Sequence, residues 1–75
     1  MSKVLLVDDE ERFRTSLAKR LQARGYDVVD VDNGEEAARR VRLDGDIDIA
    51  ILDLKMPGMD GIQTLKEMRA FNPAI

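Results

Sequence analysis

The stretch Ile47-Asp48-Ile49-Ala50-Ile51-Leu52-Asp53-Leu54-Lys55-Met56-Pro57-Gly58-Met59-Asp60-Gly61 carries most of the signal for the fold. Its aliphatic run, Ile49–Leu52, is short and is followed by turn residues, which predicts a strand buried on both faces. Met56-Pro57-Gly58 predicts a turn, and Asp60-Gly61 predicts the start of a helix. Asp53 therefore lies at the carboxyl end of the predicted strand, where parallel α/β sheets bind their ligands.

Composition restricts the class of protein. The 75 residues include no cysteine and no histidine, and the formal net charge is -3. Disulfides and thiolate metal sites are excluded, and we expect a soluble protein of the reducing cytoplasm. No apolar run approaches the ~18 residues that span a bilayer, so we expect no membrane association. The acidic balance argues against nucleic-acid binding by this segment. Because domains below ~80 residues bury little apolar surface, the chain is either a small domain or part of a larger one.

Strands and helices alternate along the predicted chain. The predicted elements are a strand at Lys3–Val7, a helix with Phe13, Leu17, Ala18 and Leu21 inward, a strand at Asp27–Val31, a helix from Glu35 to about Leu43, a strand at Ile47–Leu52 and a helix after Gly61. This order, with short connections and no visible linker, predicts one α/β unit with parallel strands.

The ends and inner faces of the helices are also predicted. Gly25 is expected to end the first helix in a left-handed conformation. Asp60, with Gln63 three residues later, indicates a capping box at the third helix. Ala37, Ala38 and Val41 are expected on the inner face of the second helix, and Ile62, Leu65 and Met68 on that of the third.

Three carboxylates follow predicted strands. Asp8 and Asp9 come directly after the first strand, and Asp53 follows the third. If these strands are neighbours, the carboxylates converge, and two charges about 4 Å apart at an effective dielectric near 20 repel by ~4 kcal/mol. A hard divalent cation with oxygen ligands, most plausibly Mg²⁺, relieves that repulsion.

Simpler roles compete with this interpretation. Asp8 and Asp9 could cap the first helix, and Asp53 could form a turn. These local roles do not explain why all three fall at the same end of two strands. The segment starting at Asp44 resembles a calcium loop but lacks its glycine and glutamate, so it is excluded. Without histidine, a Ser-His or Cys-His nucleophile pair is excluded as well.

Three segments together resemble the receiver domain of two-component response regulators. They are Val4–Glu10, Asp32–Ala37 and Asp53–Gly61. The resemblance covers the whole chain, and the last segment is highly specific. It implies a flavodoxin-like, doubly wound parallel sheet with strand order 2-1-3.

The resemblance also implies roles for individual residues. Asp53 matches the phosphoaccepting aspartate, Asp9 the acid that contacts Mg²⁺ directly, and Asp8 the acid that acts through water. Lys55 matches the position whose backbone carbonyl binds the metal. The implied donor is the phosphohistidine of a sensor histidine kinase or a phosphotransfer protein. A receiver promotes only its own phosphorylation and dephosphorylation, so no enzyme acting on a separate substrate is expected.

The chain departs from the family pattern in one respect. A receiver has a Ser or Thr after its fourth strand and a Lys after its fifth, and this sequence stops before both. We therefore expect residues 1–75 to be the N-terminal portion of a receiver, truncated or engineered. The third strand would then be an exposed edge, and we expect self-association through it. Two alternatives remain open: an inert structural half-domain that self-associates, and a small Mg²⁺-binding module that is not phosphorylated.

Overall fold

A computed structural model describes residues 2–53, 58 and 60–75 of the chain. The elements are strands β1 (Lys3–Val7), β2 (Asp27–Val31) and β3 (Ile49–Leu52), and helices α1 (Glu11–Ala23), α2 (Gly34–Leu43) and α3 (Gly61–Phe71). The predicted alternation is confirmed. β3 begins at Ile49 rather than at the predicted Ile47, whose carbonyl instead accepts a hydrogen bond from the Asn72 side chain after α3 (3.3 Å).

The strands form one parallel sheet in the order β2-β1-β3, which confirms the predicted topology. Leu5 of β1 aligns with Val29 of β2 and with Ala50 of β3. β1 is therefore the central strand, and its residues Val4–Val7 are at most 2% exposed. All three strands point in one direction, so their carboxyl ends meet at one edge of the sheet.

The two faces of the sheet are covered to different extents. One face packs against α2 and α3, and its core includes Leu5, Val7, Val31, Ala37, Val41 and Met68. On the other face, α1 packs on β2 and β1. Ile49 and Ile51 of β3 share that face and remain 44% and 38% exposed. The prediction that β3 is buried on both faces is therefore wrong, because α1 lies over the other two strands.

The predicted inner faces of α1 and α3 are confirmed except at one residue in the first turn of each. In α1, Ala18 is buried and Leu17 and Leu21 are half-buried, whereas Phe13 is 55% exposed and the Arg14 side chain is 14% exposed. In α3, Thr64 and Met68 are fully buried, whereas Ile62 is 52% exposed. Leu65 packs against the core, so Leu65 and Met68 are inward as predicted and Ile62 is not. The predicted stripe of α2 is confirmed at Ala37 and Val41, which are at most 2% exposed, and Ala38 is half-buried.

Local signals set the helix ends. Gly25 has φ +93°, as predicted for a residue that stops α1 in the left-handed region. Asp60 caps α3 by accepting a hydrogen bond from the Gln63 amide (2.8 Å). This is the Asp60 half of the predicted capping box, and the Gln63 side chain donates through Nε2 to Glu67 (3.2 Å). Within the described ranges, no helix has the length and apolar character needed to cross a membrane.

Candidate functional site

The parallel sheet brings two distant segments together at its carboxyl edge. Val7 of β1 aligns with Leu52 of β3, so the residues that follow these strands are neighbours. The Asp53 amide donates to the Val7 carbonyl (2.9 Å), which continues the pairing one residue past β3. Asp8 and Asp53 are therefore side by side although they lie far apart in the sequence.

Three carboxylates converge at this edge. One oxygen from each of Asp8, Asp9 and Asp53 lies within 4.8 Å of the other two. Asp8 is only 9% exposed, Asp53 is half-buried, and Asp9 faces solvent. The predicted convergence is present. The donor set, carboxylate oxygens alone, fits a hard cation such as Mg²⁺ and not a metal that prefers nitrogen or sulfur.

The turn after β1 shows that neither Asp8 nor Asp9 caps α1. The cap is Glu10, whose carboxylate accepts a hydrogen bond from the Phe13 amide (2.9 Å). Asp8 Oδ1 accepts from the Glu10 amide (2.9 Å), and the Asp8 amide donates to the Val31 carbonyl (3.2 Å). The helix-capping alternative is therefore wrong for this pair, and Asp8 is oriented by hydrogen bonds within its own turn.

Arg14 also contacts this turn, although the sequence pattern placed it on the solvent face of α1. Its side chain is 14% exposed, and its Nε donates to Asp30 Oδ2 (2.9 Å). Its Nη1 donates to the backbone carbonyl of Asp8 (3.0 Å). One signal could have located it: Asp30 aligns with Leu6 on the face that α1 covers, where an acidic residue needs a partner.

A second group of acidic residues lies at the opposite, amino end of the sheet. Lys3 Nζ binds Asp44 (2.5 Å) and Asp46 (3.3 Å), and the Lys3 amide donates to Asp48 Oδ2 (3.0 Å). Hydrogen bonds with Asp46, and then with Lys3, hold the pKa of Asp44 below its ordinary value of 3.8. The hydrogen bond to Asp44 raises the pKa of Lys3 above its ordinary value of 10.5. One lysine ammonium thus offsets part of the negative charge of this group.

The loop after β3 is described only in part. Lys55, the predicted source of a metal-binding carbonyl, lies outside the described residues, as do Met56, Pro57 and Met59. Gly58 has φ +76°, and a Cβ atom added there would lie 3.2 Å from Glu35 Oε1 at the start of α2. Both the backbone conformation and this close approach favour glycine at position 58.

Comparison with known proteins gives a consistent result. The family model of the response regulator receiver domain matches residues 4–75. The transcriptional regulatory protein PhoP of Bacillus subtilis is 40% identical over 67 residues, which cover 89% of this chain and 28% of PhoP. A cyclic di-GMP phosphodiesterase of Thermotoga maritima is 35% identical over 71 residues, or 95% of this chain and 18% of that protein. The chain therefore spans less than a third of these relatives.

Solved structures agree with the fold. The crystal structure of the receiver domain from the hybrid histidine kinase CckA has a TM-score of 0.91 at 40% identity, covering 95% of this chain and 67% of that chain. The response regulator TrrA of Thermotoga maritima, crystallised with Mg²⁺ and BeF, has a TM-score of 0.86 at 38% identity, covering 97% and 63%. TrrA has also been crystallised in complex with the histidine kinase ThkA.

Proposed function

This chain belongs to the response regulator receiver domain family, and from that premise we propose that Asp53 accepts a phosphoryl group in a Mg²⁺-dependent reaction. The observation that carries the proposal is the convergence of Asp8, Asp9 and Asp53, with carboxylate oxygens within 4.8 Å at the carboxyl edge of the sheet. Asp53 is half-buried beside the central strand, as suits a nucleophile held in one position.

The proposed reaction transfers a phosphoryl group between two side chains. A carboxylate oxygen of Asp53 attacks the phosphorus of a phosphohistidine, and the P–N bond breaks with its electron pair moving to the imidazole nitrogen. The products are an aspartyl phosphate and a neutral histidine after protonation from solvent. Carboxylates form such covalent intermediates in other phosphoryl-transfer proteins. Residues 1–75 contain no histidine, so the phosphohistidine donor lies outside them.

Asp8, Asp9 and Asp53 are the residues that would hold Mg²⁺, together with the backbone carbonyl of Lys55. Bound there, the ion would neutralise charge on the transferring phosphoryl oxygens. Asp8 is held by the Glu10 and Val31 backbone, so its position does not depend on the ion. The three carboxylates repel one another at this separation, and a bound cation would relieve that repulsion.

The proposed partner is a sensor histidine kinase or a phosphotransfer protein of the cytoplasm. TrrA, whose match covers 97% of this chain and 62% of that chain, forms a complex with a histidine kinase. We propose a signalling role without turnover of a separate substrate. The phosphodiesterase activity in the name of one relative belongs to that protein, and the match covers only 18% of it.

The test is mass spectrometry after incubation with acetyl phosphate and Mg²⁺. We expect one hydroxylamine-labile phosphoryl adduct on the wild-type chain and none on Asp53→Asn. Asp48→Asn is the matched control, because it makes the same substitution at the other end of the same strand, where Asp48 accepts a bond from the Lys3 amide. Asp48→Asn should be labelled like the wild type. Equal labelling of Asp53→Asn would rule out Asp53 as the acceptor.

We also propose that the 75-residue chain self-associates through β3. This strand is at the edge of the described sheet, and its residues Ile49 and Ile51 are exposed. Unpaired strand edges with apolar side chains pair with other chains. Light scattering should show a mass above 8.5 kDa that rises with concentration. Ile51→Lys should shift the distribution towards the monomer, and a wild-type monomer at high concentration would contradict this proposal.

A further inference from the structure

Arg14 links three elements around the carboxylate site. It lies in the first turns of α1, donates to Asp30 of β2 through Nε (2.9 Å), and donates to the Asp8 carbonyl after β1 through Nη1 (3.0 Å). The side chain is 14% exposed and its partner Asp30 is 41% exposed. The planar guanidinium presents donors in a fixed fork, so the two contacts restrict each other's geometry.

The two hydrogen bonds of Arg14 go to groups other than the carboxylates of the cluster. The guanidinium charge is compensated by Asp30, and the bond to the turn goes to a backbone oxygen of Asp8. The Asp8 backbone is then held at both ends, because its amide donates to Val31 and its carbonyl accepts from Arg14. Asp8 Oδ1 is in turn oriented by the Glu10 amide (2.9 Å). Arg14 thus fixes the turn that carries two of the three carboxylates.

We propose that Arg14 is a positioning residue for the divalent cation: it holds the Asp8–Asp9 turn in the conformation in which the carboxylates converge. This inference rests on the proposed function, specifically on cation binding at Asp8, Asp9 and Asp53. Residues that orient metal ligands without touching the metal typically change its affinity by about 10–100-fold when they are replaced. Arg14→Gln should therefore raise the Mg²⁺ dissociation constant about tenfold or more.

The measurement is a Mg²⁺ titration of the chain by NMR, following the amide signals of Asp9 and Glu10 at constant ionic strength. Asp30→Asn separates positioning from general stability, because it removes the ion pair and keeps the Arg14 bond to Asp8. It should lower the free energy of unfolding while changing the dissociation constant less than Arg14→Gln does. Arg39→Gln is the matched control: it removes an arginine ion pair to Glu36 (2.7 Å) on α2 and should leave Mg²⁺ affinity unchanged.

A readout in the absence of metal tests the same inference. The Glu10 amide, bonded to Asp8 Oδ1, should exchange its hydrogen faster in Arg14→Gln than in Asp30→Asn. If Arg14→Gln does not fold, Arg14→Lys decides the question, since it keeps the charge but replaces the rigid planar fork with a flexible ammonium. If the wild type and an Arg14 variant bind Mg²⁺ with equal affinity, only the positioning role is overturned. A wild type without saturable Mg²⁺ binding would overturn the cation site of the proposed function itself.

Discussion

The two ends of the sheet each collect three aspartates, and at the amino end the described contacts include a lysine ammonium bound to two of them. At the amino end, the Lys3 ammonium binds Asp44 and Asp46 and its amide binds Asp48. At the carboxyl end, Asp8, Asp9 and Asp53 converge within 4.8 Å, while Arg14 binds a backbone carbonyl and Asp30. The same residue type therefore supports the fold at one end and forms a candidate cation site at the other.

The difference follows from how each group is assembled. The amino-end acids lie in one short segment. In the folded chain, Lys3 contacts all three of them through its ammonium or its amide. The carboxyl-end acids come from two segments that the sheet forces together, so folding itself creates their repulsion.

The largest expected effect is the loss of the Mg²⁺ response on removing charge at the carboxyl end. At a Mg²⁺ concentration 100 times its dissociation constant, binding to the folded state alone should stabilise the wild type by about 2.7 kcal/mol. The double variant Asp8→Asn, Asp9→Asn should show no such gain, and without Mg²⁺ it should be more stable than the wild type because the repulsion is removed. Urea unfolding with and without Mg²⁺ measures both effects.

The amino end provides the matched control for that experiment. The double variant Asp44→Asn, Asp46→Asn removes the same charge from the group that Lys3 binds. It should lose stability and keep the full Mg²⁺ response. Chain concentration and ionic strength are held fixed throughout, because self-association and screening both affect the midpoint. Equal Mg²⁺ responses of the two double variants would show that the ends do not differ in cation binding.

A smaller effect is expected from removing the lysine at the amino end. Lys3→Met keeps the length of the side chain but leaves Asp44 and Asp46 without their shared ammonium. The free energy of unfolding should fall, by less than the Mg²⁺ effect, because ion pairs open to solvent are screened. Mg²⁺ affinity and labelling by acetyl phosphate should not change. Lys19→Met, at an exposed position on α1, is the control and should be nearly neutral. A loss of labelling in Lys3→Met would mean that the two ends are coupled.

Features set by the backbone could be predicted from the sequence. The order of elements, the burial of β1 and the meeting of Asp8, Asp9 and Asp53 all follow from which residues end which strands. The left-handed Gly25 and the cap at Asp60 follow equally from local signals. A strand end fixes where the next residue lies, so the candidate site can be predicted without knowledge of side-chain packing.

Features set by packing between elements could not be predicted in the same way. Phe13 and Ile62 lie in the first turns of α1 and α3 and are exposed, although the other residues of each predicted stripe are buried or half-buried. A stripe of apolar residues defines a helix face only to within about one residue, or roughly 100° of rotation. Arg14–Asp30 and Lys3–Asp44 pair residues that are distant in the sequence, so no local pattern indicates them. These contacts depend on which strand each helix covers.

The smallest expected effect is the pH dependence that the ion pairs of Lys3 contribute to stability. Because its partners lower the pKa of Asp44, the unfolded chain binds a proton there before the folded chain does as the pH falls. That contribution to stability is complete above the ordinary pKa of 3.8 and is lost as the pH falls below it. The pKa of Lys3 is raised, so its contribution is complete below 10.5 and is lost as the pH rises through the folded value. The difference in unfolding free energy between the wild type and Lys3→Met should therefore be constant between these limits and shrink beyond both. A difference that instead varied across neutral pH would require another titrating partner for Lys3, and the amino end would then no longer be a self-contained ion pair.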